Sequence, residues 1–347
     1  MSGGPACRTG RQNRPRRAPT GLLAVTLLVG LTLVGCGTGS ATQAPSPSPE
    51  PSAAPASPSP EPSPSPAFPL SLLDDEGNTV ELAEEPQRIV SLTPAVTETL
   101  FAIAAGDRVV ATTDFDDYPP EAIELPDVAS FTSVDVEAIV GLEADLVIAG
   151  GNFFNDPEAL ARLRTLGIPV LVVYAPDVAT VLADIELVGR AVGRAAEAAE
   201  VTEAMRTEIE AVERSVAGLD APRVFYELDA TSAIYGPADD SFLEEMIVLA
   251  GGDPITTGSP TAFEIPLERL ISEDPEVILL GDAAYGVTAD QVSARPGWGG
   301  MTAVETGAIR PVDDVIITRP GPRLTEGLRA LALAIHPEIA SLLTAAR

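Results

Sequence analysis

From residue 79 onward, short apolar runs alternate with segments whose apolar residues recur at helical spacing. Apolar runs typical of buried strands occupy residues 88–92, 108–112, 145–149 and 169–174. The segments 94–105 and 157–167 lie between such runs and have helical spacing. Pro94 suits the first turn of a helix, and Gly106 and Gly167 suit helix ends. This alternation predicts an α/β fold with mainly parallel sheets.

Helical spacing then continues from residue 178 to about residue 218. A break near Gly193 would leave a helix of about 24 residues, which would be about 36 Å long. The α/β alternation then resumes with the runs at residues 222–228, 241–252, 276–281 and 308–313, and a terminal helical stretch begins at about Arg323.

We therefore predict two Rossmann-like lobes, residues 69–176 and 219–347, joined by one long interdomain helical segment at residues 177–218. Ligands of open α/β sheets bind beyond the carboxyl ends of the strands. The predicted ligand site is accordingly a cleft between the two lobes.

One phrase of the sequence occurs in both predicted lobes. Residues 134–150, VDVEAIVGLEADLVIAG, align with residues 265–281, IPLERLISEDPEVILLG, at a shift of 131 positions. Glu137 then falls on Glu268, and Val136, Ile139 and Val140 fall on Leu267, Leu270 and Ile271. Helical periodicity predicts that these apolar residues face the core and that the glutamates lie off that face.

The first 36 residues have the pattern of a secretory signal peptide. Five arginines precede the apolar run at residues 21–35, and the run ends at Leu33–Cys36, LVGC. This tetrad resembles a bacterial lipobox, which implies that Cys36 is lipidated and becomes the first mature residue. The alternative is a transmembrane helix, but about 15 apolar residues are short for a span of about 20.

Residues 37–68 are rich in Pro and Ser and predict an extended, disordered tether between the anchor and the folded lobes. Cys7 and Cys36 are the only cysteines of the chain. Because Cys7 lies in the part that would be cleaved, the mature protein is expected to contain no disulfide and no cysteine metal site.

The charge and the motifs exclude several classes of function. The formal net charge of −30 argues against nucleic acid as a partner, because phosphates require a basic surface. The sequence contains neither a phosphate-binding glycine motif nor a nucleophile elbow, and its one histidine, His336, lies in a helical segment. We therefore expect no enzyme activity, no cofactor and no histidine-based metal site.

Several stretches together resemble one family. They include QRIVSLTPAVTETLFAIAAGDRVVATTDFDDYPPEA, LPDV, the first repeated phrase, RLRTLGIPVLVV, RPGWGGMTAVETGAIRPVD and RPGPRLTEGLRALA, which lie between residues 87 and 337. They resemble ABC-transporter substrate-binding lipoproteins with a rigid interdomain helix, which carry cobalamin, ferric siderophores or haem. The piece DFDDYPPEA, residues 114–122, is most similar to the cobalamin-binding branch.

This resemblance implies an extracytoplasmic, lipid-anchored protein of the cell membrane that captures a corrinoid or another large metal chelate. It implies delivery of the ligand to ABC permease subunits by a monomeric carrier. In such carriers a glutamate of each lobe meets permease arginines, and Glu137 and Glu268 match those positions. The alternatives are a ferric-siderophore or haem carrier, a sensor or adhesion module that has lost transport, and a lipid-anchored α/β hydrolase, which the absence of a His-based triad disfavours.

Candidate ligand contacts come from the loops. Aromatic residues suit a large, flat ligand, and those placed between predicted elements are Phe115, Tyr118, Phe131, Phe153, Phe154, Tyr235, Phe263 and Tyr285. The resemblance places Phe115 and Phe131 against a corrin and Arg319 at the rim of the cleft. Tyr118 would be the iron ligand of a haem carrier.

Other residues have structural alternatives. Ser91 and Thr93 precede a helix aimed at the cleft, where they would either bind ligand or cap the helix. Trp298 and Arg323 are expected to be structural. Tryptophans that line the cleft of cobalamin carriers are missing near Gly150 and Ala262, and the neighbouring Phe153 and Phe263 are candidates to replace them.

Overall fold

The computed structural model describes residues 68–130, 133–151 and 154–345, with side chains described as far as residue 342. The predicted signal peptide, lipobox and most of the tether lie outside the described residues, as do Phe131 and Phe153. Within the described ranges, no helix combines the length and the apolar character that a membrane span requires.

A β-hairpin opens the described part of the chain. Strands β1 (Leu70–Leu73) and β2 (Thr79–Leu82) pair in an antiparallel arrangement. The buried Asp74 carboxylate accepts the backbone N–H groups of Glu76 and Asn78, and Gly77 adopts a positive φ of 80° in the turn. Because both strands are four residues long, their apolar positions are too few to predict a strand from periodicity.

The N-terminal lobe is built on a six-stranded sheet with the strand order β6-β5-β4-β3-β7-β8. All neighbours are parallel except β5 and β6. The strands are β3 (Ile89–Ser91), β4 (Val109–Thr113), β5 (Asp127–Ser130), β6 (Ser133–Val134), β7 (Leu146–Ala149) and β8 (Val170–Val172). The helices are α1 (Pro94–Ala102), α2 (Val136–Gly141) and α3 (Pro157–Thr165).

Two helices connect the lobes. Helix α4 (Val178–Ala191) ends before Gly193, whose φ of 68° reverses the chain, and α5 (Ala195–Val216) follows. The 22 residues of α5 span about 33 Å, slightly less than the helix of about 24 residues and about 36 Å that the sequence predicts. The helices pack closely, because Gly189 lies against Ala198 and leaves no room for a side chain.

The C-terminal lobe contains a four-stranded parallel sheet with the order β10-β9-β11-β12. Its strands are β9 (Arg223–Glu227), β10 (Asp253–Pro254), β11 (Val277–Leu280) and β12 (Ile309–Pro311). Its helices are α6 (Phe242–Leu249), α7 (Leu267–Glu273), α8 (Ala289–Ser293), α9 (Thr302–Thr306), α10 (Asp314–Thr318), α11 (Leu324–Ile335) and α12 (Ala340–Ala345).

One hydrophobic core continues from lobe to lobe through the connecting helices. It joins Leu100 of α1, Ile185 of α4, Met205 of α5 and Leu328 of α11, all buried. Because burial of this continuous apolar surface favours one arrangement, the helices hold the lobes together as well as connecting them.

The repeated phrase corresponds to the same structure in both lobes. In the first lobe, Arg88 donates its Nε to the carbonyl of Leu142 and its backbone N–H to the Asp145 carboxylate. In the second, Arg223 donates its Nε to the carbonyl of Glu273 and its backbone N–H to the Glu276 carboxylate.

The backbone of the two phrases is also repeated. Glu143 and Asp274, which align with each other, have positive φ angles of 52° and 49°. The phrase is therefore duplicated because each lobe uses it to pass from a helix to a fully buried interior strand of its sheet, β7 or β11.

Two details of the sequence prediction are wrong. Val140 and Ile271 do not face the core but are exposed, because α2 and α7 bury only a narrow face. Gly106 does not end helix α1 either, since the residue with positive φ after that helix is Ala104. The glycine is instead required because a Cβ there would overlap the ring of Phe101.

Candidate functional site

A cavity of about 950 Å³ lies between the two lobes. Leu92, Phe115 and Gly150 line it just beyond the carboxyl ends of β3, β4 and β7, and Leu228 lines it beyond β9. It therefore occupies the position at which open α/β sheets bind ligands, and its volume lies at the upper end of the usual range of about 300–1,000 Å³.

Aromatic side chains form much of its wall. Phe115, Phe154 and Tyr174 extend from the N-terminal lobe, and Phe242 and Phe263 extend from the C-terminal lobe. The rings of Phe154 and Tyr174 are tilted by 40° with their centroids 6.1 Å apart. Since four of these five residues are about half exposed, they present apolar area to a ligand on both sides of the cavity.

Carboxylates outnumber cations around the cavity. Asp184, Asp239, Asp240 and Asp314 line it, whereas Arg319 is the one basic residue among the described lining residues. Burial and the neighbouring Asp75 raise the pKa of Asp184 to about 8. The cavity therefore carries negative charge and can offer a protonated carboxyl group as a hydrogen-bond donor at neutral pH.

Asp314 lines the cavity from the C-terminal lobe, at the start of α10. Burial raises its pKa, although a 2.8 Å hydrogen bond from the Tyr226 hydroxyl acts in the opposite direction. Tyr226 is itself fully buried, so the hydrogen bond fixes the position of the Asp314 carboxylate.

An ionic network crosses from one lobe to the other at the edge of the cavity. Arg319 donates to Glu98 of α1 at 2.7 Å and to Asp117 at 2.6 Å. Arg323 donates two hydrogen bonds to the same Glu98 carboxylate, at 2.9 and 2.6 Å. The Glu98 side chain is only 2% exposed, so the two arginines supply the charge that its burial requires.

The two arginines of this network are stabilised in their charged form. Burial acts to lower the pKa of Arg319, but the hydrogen bonds that it donates to Asp117 and Glu98 outweigh burial and raise the pKa. The hydrogen bond to Glu98 likewise raises the pKa of Arg323. Arg319 therefore faces the cavity as a guanidinium already engaged by two carboxylates.

A family model described as a periplasmic binding protein matches residues 89–315. The chain belongs to the periplasmic binding protein family. The resemblance deduced from the sequence is confirmed, and so is the two-lobed α/β fold.

Individual relatives of this periplasmic binding protein agree with the family assignment. An uncharacterized ABC transporter substrate-binding lipoprotein, YvrC of Bacillus subtilis, is 29% identical to this chain. The aligned region covers 92% of this chain and 97% of YvrC. A cobalamin-binding protein of Halobacterium salinarum is 32% identical over 78% of this chain and 75% of its own. These relatives are binding and transport proteins rather than enzymes.

The solved structures include a carrier of another ligand. The periplasmic heme-binding protein RhuT from Roseiflexus sp. RS-1, in its apo form, has 26% identity and a TM-score of 0.64. It covers 73% of this chain and 99% of its own. The family therefore includes proteins for chemically different ligands on one fold.

Several of the predicted contacts of this periplasmic binding protein line the cavity. Phe115, Phe154, Phe263, Arg319 and Thr93 are all among the lining residues. Thr93 is the N-cap residue of α1 but makes no side-chain capping bond. Ser91 is buried instead, where its hydroxyl accepts a hydrogen bond from Thr97 at 2.8 Å.

Other predicted contacts lie elsewhere in the periplasmic binding protein. Tyr118 and Tyr235 are not among the described lining residues, and neither is Tyr285. The ring of Tyr118 stacks under the guanidinium of Arg323, 4.3 Å from its centroid. The backbone of Tyr235 bridges to Asp229 and Glu264 in a loop of the C-terminal lobe.

Trp298, which is expected to be structural, is buried in this periplasmic binding protein, and so is the single histidine, His336. His336 lies at the end of α11, with Nε2 3.1 Å from the carbonyl of Gly251. Trp298 is buried under the guanidinium of Arg295, 4.7 Å from its ring centroid. Among the described residues no group of three or more His, Cys, Asp or Glu side chains is arranged to hold a metal ion.

The glutamates of the repeated phrase lie at corresponding places outside the cavity. Glu137 belongs to α2 and Glu268 to α7, and both side chains are exposed. Glu137 forms a 2.7 Å ion pair with Arg162, which is also exposed and therefore contributes little stability.

Sequence reasoning missed part of the site. Tyr174 follows β8, and the rule that ligands bind beyond the carboxyl ends of strands would have identified it. Asp184 lies inside helix α4 and Glu98 inside α1. An acidic residue within a helix is ordinarily expected to be exposed to solvent. Nothing in the local sequence indicates that these two carboxyl groups are partly or fully buried.

Proposed function

We propose that this protein is the ligand-capture component of an ABC importer and that its ligand is a corrinoid. The observation that carries the proposal is the large aromatic cavity between the lobes. Phe115 and Phe154 face it from one side and Phe263 faces it from the other, which suits a flat macrocycle held between the lobes.

The charge of the cavity favours a corrinoid over haem. Haem carries propionate groups, and catecholate siderophores are also anionic, so both need cations at their site. Here Arg319 is engaged by Glu98 and Asp117, while four aspartates line the wall. The peripheral amide groups of a corrin are neutral and donate hydrogen bonds, which carboxylates accept.

Calorimetry on the folded part of the chain tests the ligand. We expect saturable one-to-one binding of cobalamin, weakened at least about tenfold by Phe115→Ala, because truncating a buried central aromatic often costs about 2 kcal/mol. Phe131→Ala, which the family resemblance favours, should be at least as harmful, and Arg319→Ala should be milder. The matched control is Tyr285→Ala, since Tyr285 is highly exposed and does not line the cavity.

Haem binding is the competing outcome. Tyr118 is 43% exposed and stacks on Arg323 of the ionic network, and the family resemblance makes it the candidate iron ligand. Tight haemin binding that is lost in Tyr118→Phe, together with no cobalamin binding, would replace the corrinoid with haem. Tight binding of a ferric siderophore alone would replace it with that class.

We propose further that Glu137 and Glu268 dock the loaded protein on the permease. Charge reversal at both positions should abolish uptake in cells without a redundant carrier and leave ligand affinity within about twofold, because neither residue lines the cavity. Wild-type uptake by the double variant would show that both glutamates are ordinary surface residues.

Anchoring completes the proposed function. A lipid on Cys36 and the Pro/Ser tether would hold a monomeric carrier at the extracytoplasmic face of the cell membrane, within reach of its permease. Cys36→Ser should prevent lipid attachment and release the protein from the detergent phase in a partition assay. Unchanged retention would contradict the lipobox interpretation.

A further inference from the structure

The repeated helices α2 and α7 share two surface features that the fold does not require. Besides the exposed glutamates, each presents a branched aliphatic side chain to solvent three residues later. Val140 is 43% exposed and Ile271 is 40% exposed, and they align with each other at the same shift as Glu137 and Glu268.

The other repeated positions have internal explanations. Ile139 and Leu270 are completely buried, Asp145 and Glu276 accept backbone N–H groups, and the strands that follow are buried. Packing therefore explains why most of the phrase occurs twice. It does not explain an exposed glutamate and an exposed aliphatic at the same two places in both lobes.

On each helix the two side chains lie next to each other. Residues three positions apart occupy the same face of a helix, so Glu137 neighbours Val140 and Glu268 neighbours Ile271. We call each pair a docking patch. None of these four residues lines the cavity between the lobes, so ligand binding does not explain either patch.

We propose that Val140 and Ile271 are apolar contacts for the permease, one on each lobe, beside the proposed glutamate contacts. This inference rests on the proposed delivery of ligand to an ABC permease. The two copies of the patch fit a partner that presents one complementary surface twice, as a permease made of two like subunits does.

Physical reasons favour an apolar component. An exposed glutamate–arginine pair contributes little affinity because water and salt screen it, and it mainly guides the encounter. Burial of an aliphatic side chain is not screened by salt and slows dissociation once the surfaces meet. A patch that combines both features would associate quickly and remain bound long enough to transfer ligand.

Charge argues against a second copy of this chain as the occupant. The chain has 51 acidic residues against 21 basic residues, and each patch contains a glutamate. Two such patches facing each other would place like charges in one interface, which opposes association. A partner with basic residues around an apolar surface fits both parts of the patch.

The test compares two double variants. The first is Val140→Asn with Ile271→Asn, and the control is Leu73→Asn with Val248→Asn. Leu73 is 66% exposed on β1 and Val248 is 55% exposed on α6, so the control removes more exposed apolar area away from α2 and α7.

The probe is the host's permease–ATPase complex whose transport depends on this chain, reconstituted in lipid nanodiscs. We expect the first variant to lose at least tenfold in affinity for this complex and the control to stay within twofold of wild type. Cobalamin affinity and melting temperature should match wild type in both. Val140→Ile with Ile271→Val, which keeps the aliphatic character, should bind the complex as wild type does.

The salt dependence separates the two components of the patch. The Asn variant should keep the salt dependence of wild-type docking, whereas Glu137→Gln with Glu268→Gln should flatten it. If the glutamine variant binds the complex weakly while the affinity of the Asn variant remains within twofold of wild type, the inferred apolar contact is overturned. The proposed transport function then stands.

Two further results would also overturn the inference. Wild-type protein that does not bind the complex would remove the proposed delivery function and the apolar contact with it. A wild-type dimer in sedimentation that the Asn variant dissociates, without any change in docking, would assign the patches to a second copy of this chain.

Discussion

Replacing Glu98 with glutamine removes the charge at the centre of the network that joins the lobes. The carboxylate accepts three hydrogen bonds from Arg319 and Arg323, at 2.6 to 2.9 Å, and its side chain is 2% exposed. Glutamine has nearly the same shape, so the substitution tests charge and hydrogen bonding with little change in packing.

The expected loss follows from this geometry. Removing one partner of a buried ion pair usually costs about 3–5 kcal/mol, because the remaining charge is left in a poorly solvated position. Here the arginine side chains are 15% and 19% exposed, and Asp117 still pairs with Arg319. We therefore expect Glu98→Gln to lower the free energy of unfolding by about 2–4 kcal/mol.

Equilibrium unfolding in urea is the appropriate assay, because guanidinium salts would screen the charges being tested. Glu208→Gln is the matched control, since Glu208 accepts a single hydrogen bond from Arg329 and is 41% exposed. The control should lose at most about 1 kcal/mol. A loss below about 1 kcal/mol for Glu98→Gln, or a loss equal to that of the control, would refute the assignment of this network as a major contact between the lobes.

Two other predictions concern the connecting helix and the C-terminal lobe. The pKa of Asp184 is raised to about 8, so its protonated form favours the folded state and its contribution to stability is lost as pH rises from about 4 to 8. Between pH 5 and pH 8.5, the free energy of unfolding of Asp184→Asn, measured in urea, should therefore rise by at least about 1 kcal/mol relative to that of wild type. A difference between the two proteins that does not change with pH would contradict this. Gly327→Ala should lower the free energy of unfolding by at least about 2 kcal/mol, because the added Cβ would overlap the backbone carbonyl of Ile316. Thermal unfolding would measure this loss, with Ala330→Gly as the comparison variant.

Periodicity along the chain predicted most of the regular structure. The runs that became β3, β4, β7, β8 and β11 were apolar enough to be recognised as strands, and those that became α1, α3 and α11 were recognised as helices. The runs that became β9, α6 and β12 were recognised only as a continuation of the α/β alternation. Strands β1, β2 and β5 were missed because exposed and buried positions alternate or mix along each of them, so that none forms a continuous apolar run. Short elements like these are fixed by their neighbours in the sheet rather than by their own pattern.

The candidate site was predicted only in part. Family motifs and strand ends pointed to Phe115, Phe263 and Arg319, which all line the cavity. The ion pairing of Arg319 was not predictable, because its partner Glu98 lies 221 residues away in the sequence. The raised pKa of Asp184 likewise depends on burial and on Asp75, which lies 109 positions away in the turn between β1 and β2.

The sequence by itself determined the class of fold, the duplication of the lobes and the family, because these depend on the order and spacing of residue types along the chain. The tertiary structure decided which repeated residues are buried and which are exposed, and which charges pair across the cavity. Val140 and Ile271 illustrate the difference, since a helical pattern assigns them to the core while the packing of α2 and α7 leaves them exposed. Burial and ion pairing depend on contacts between distant segments, and local periodicity carries no information about those contacts.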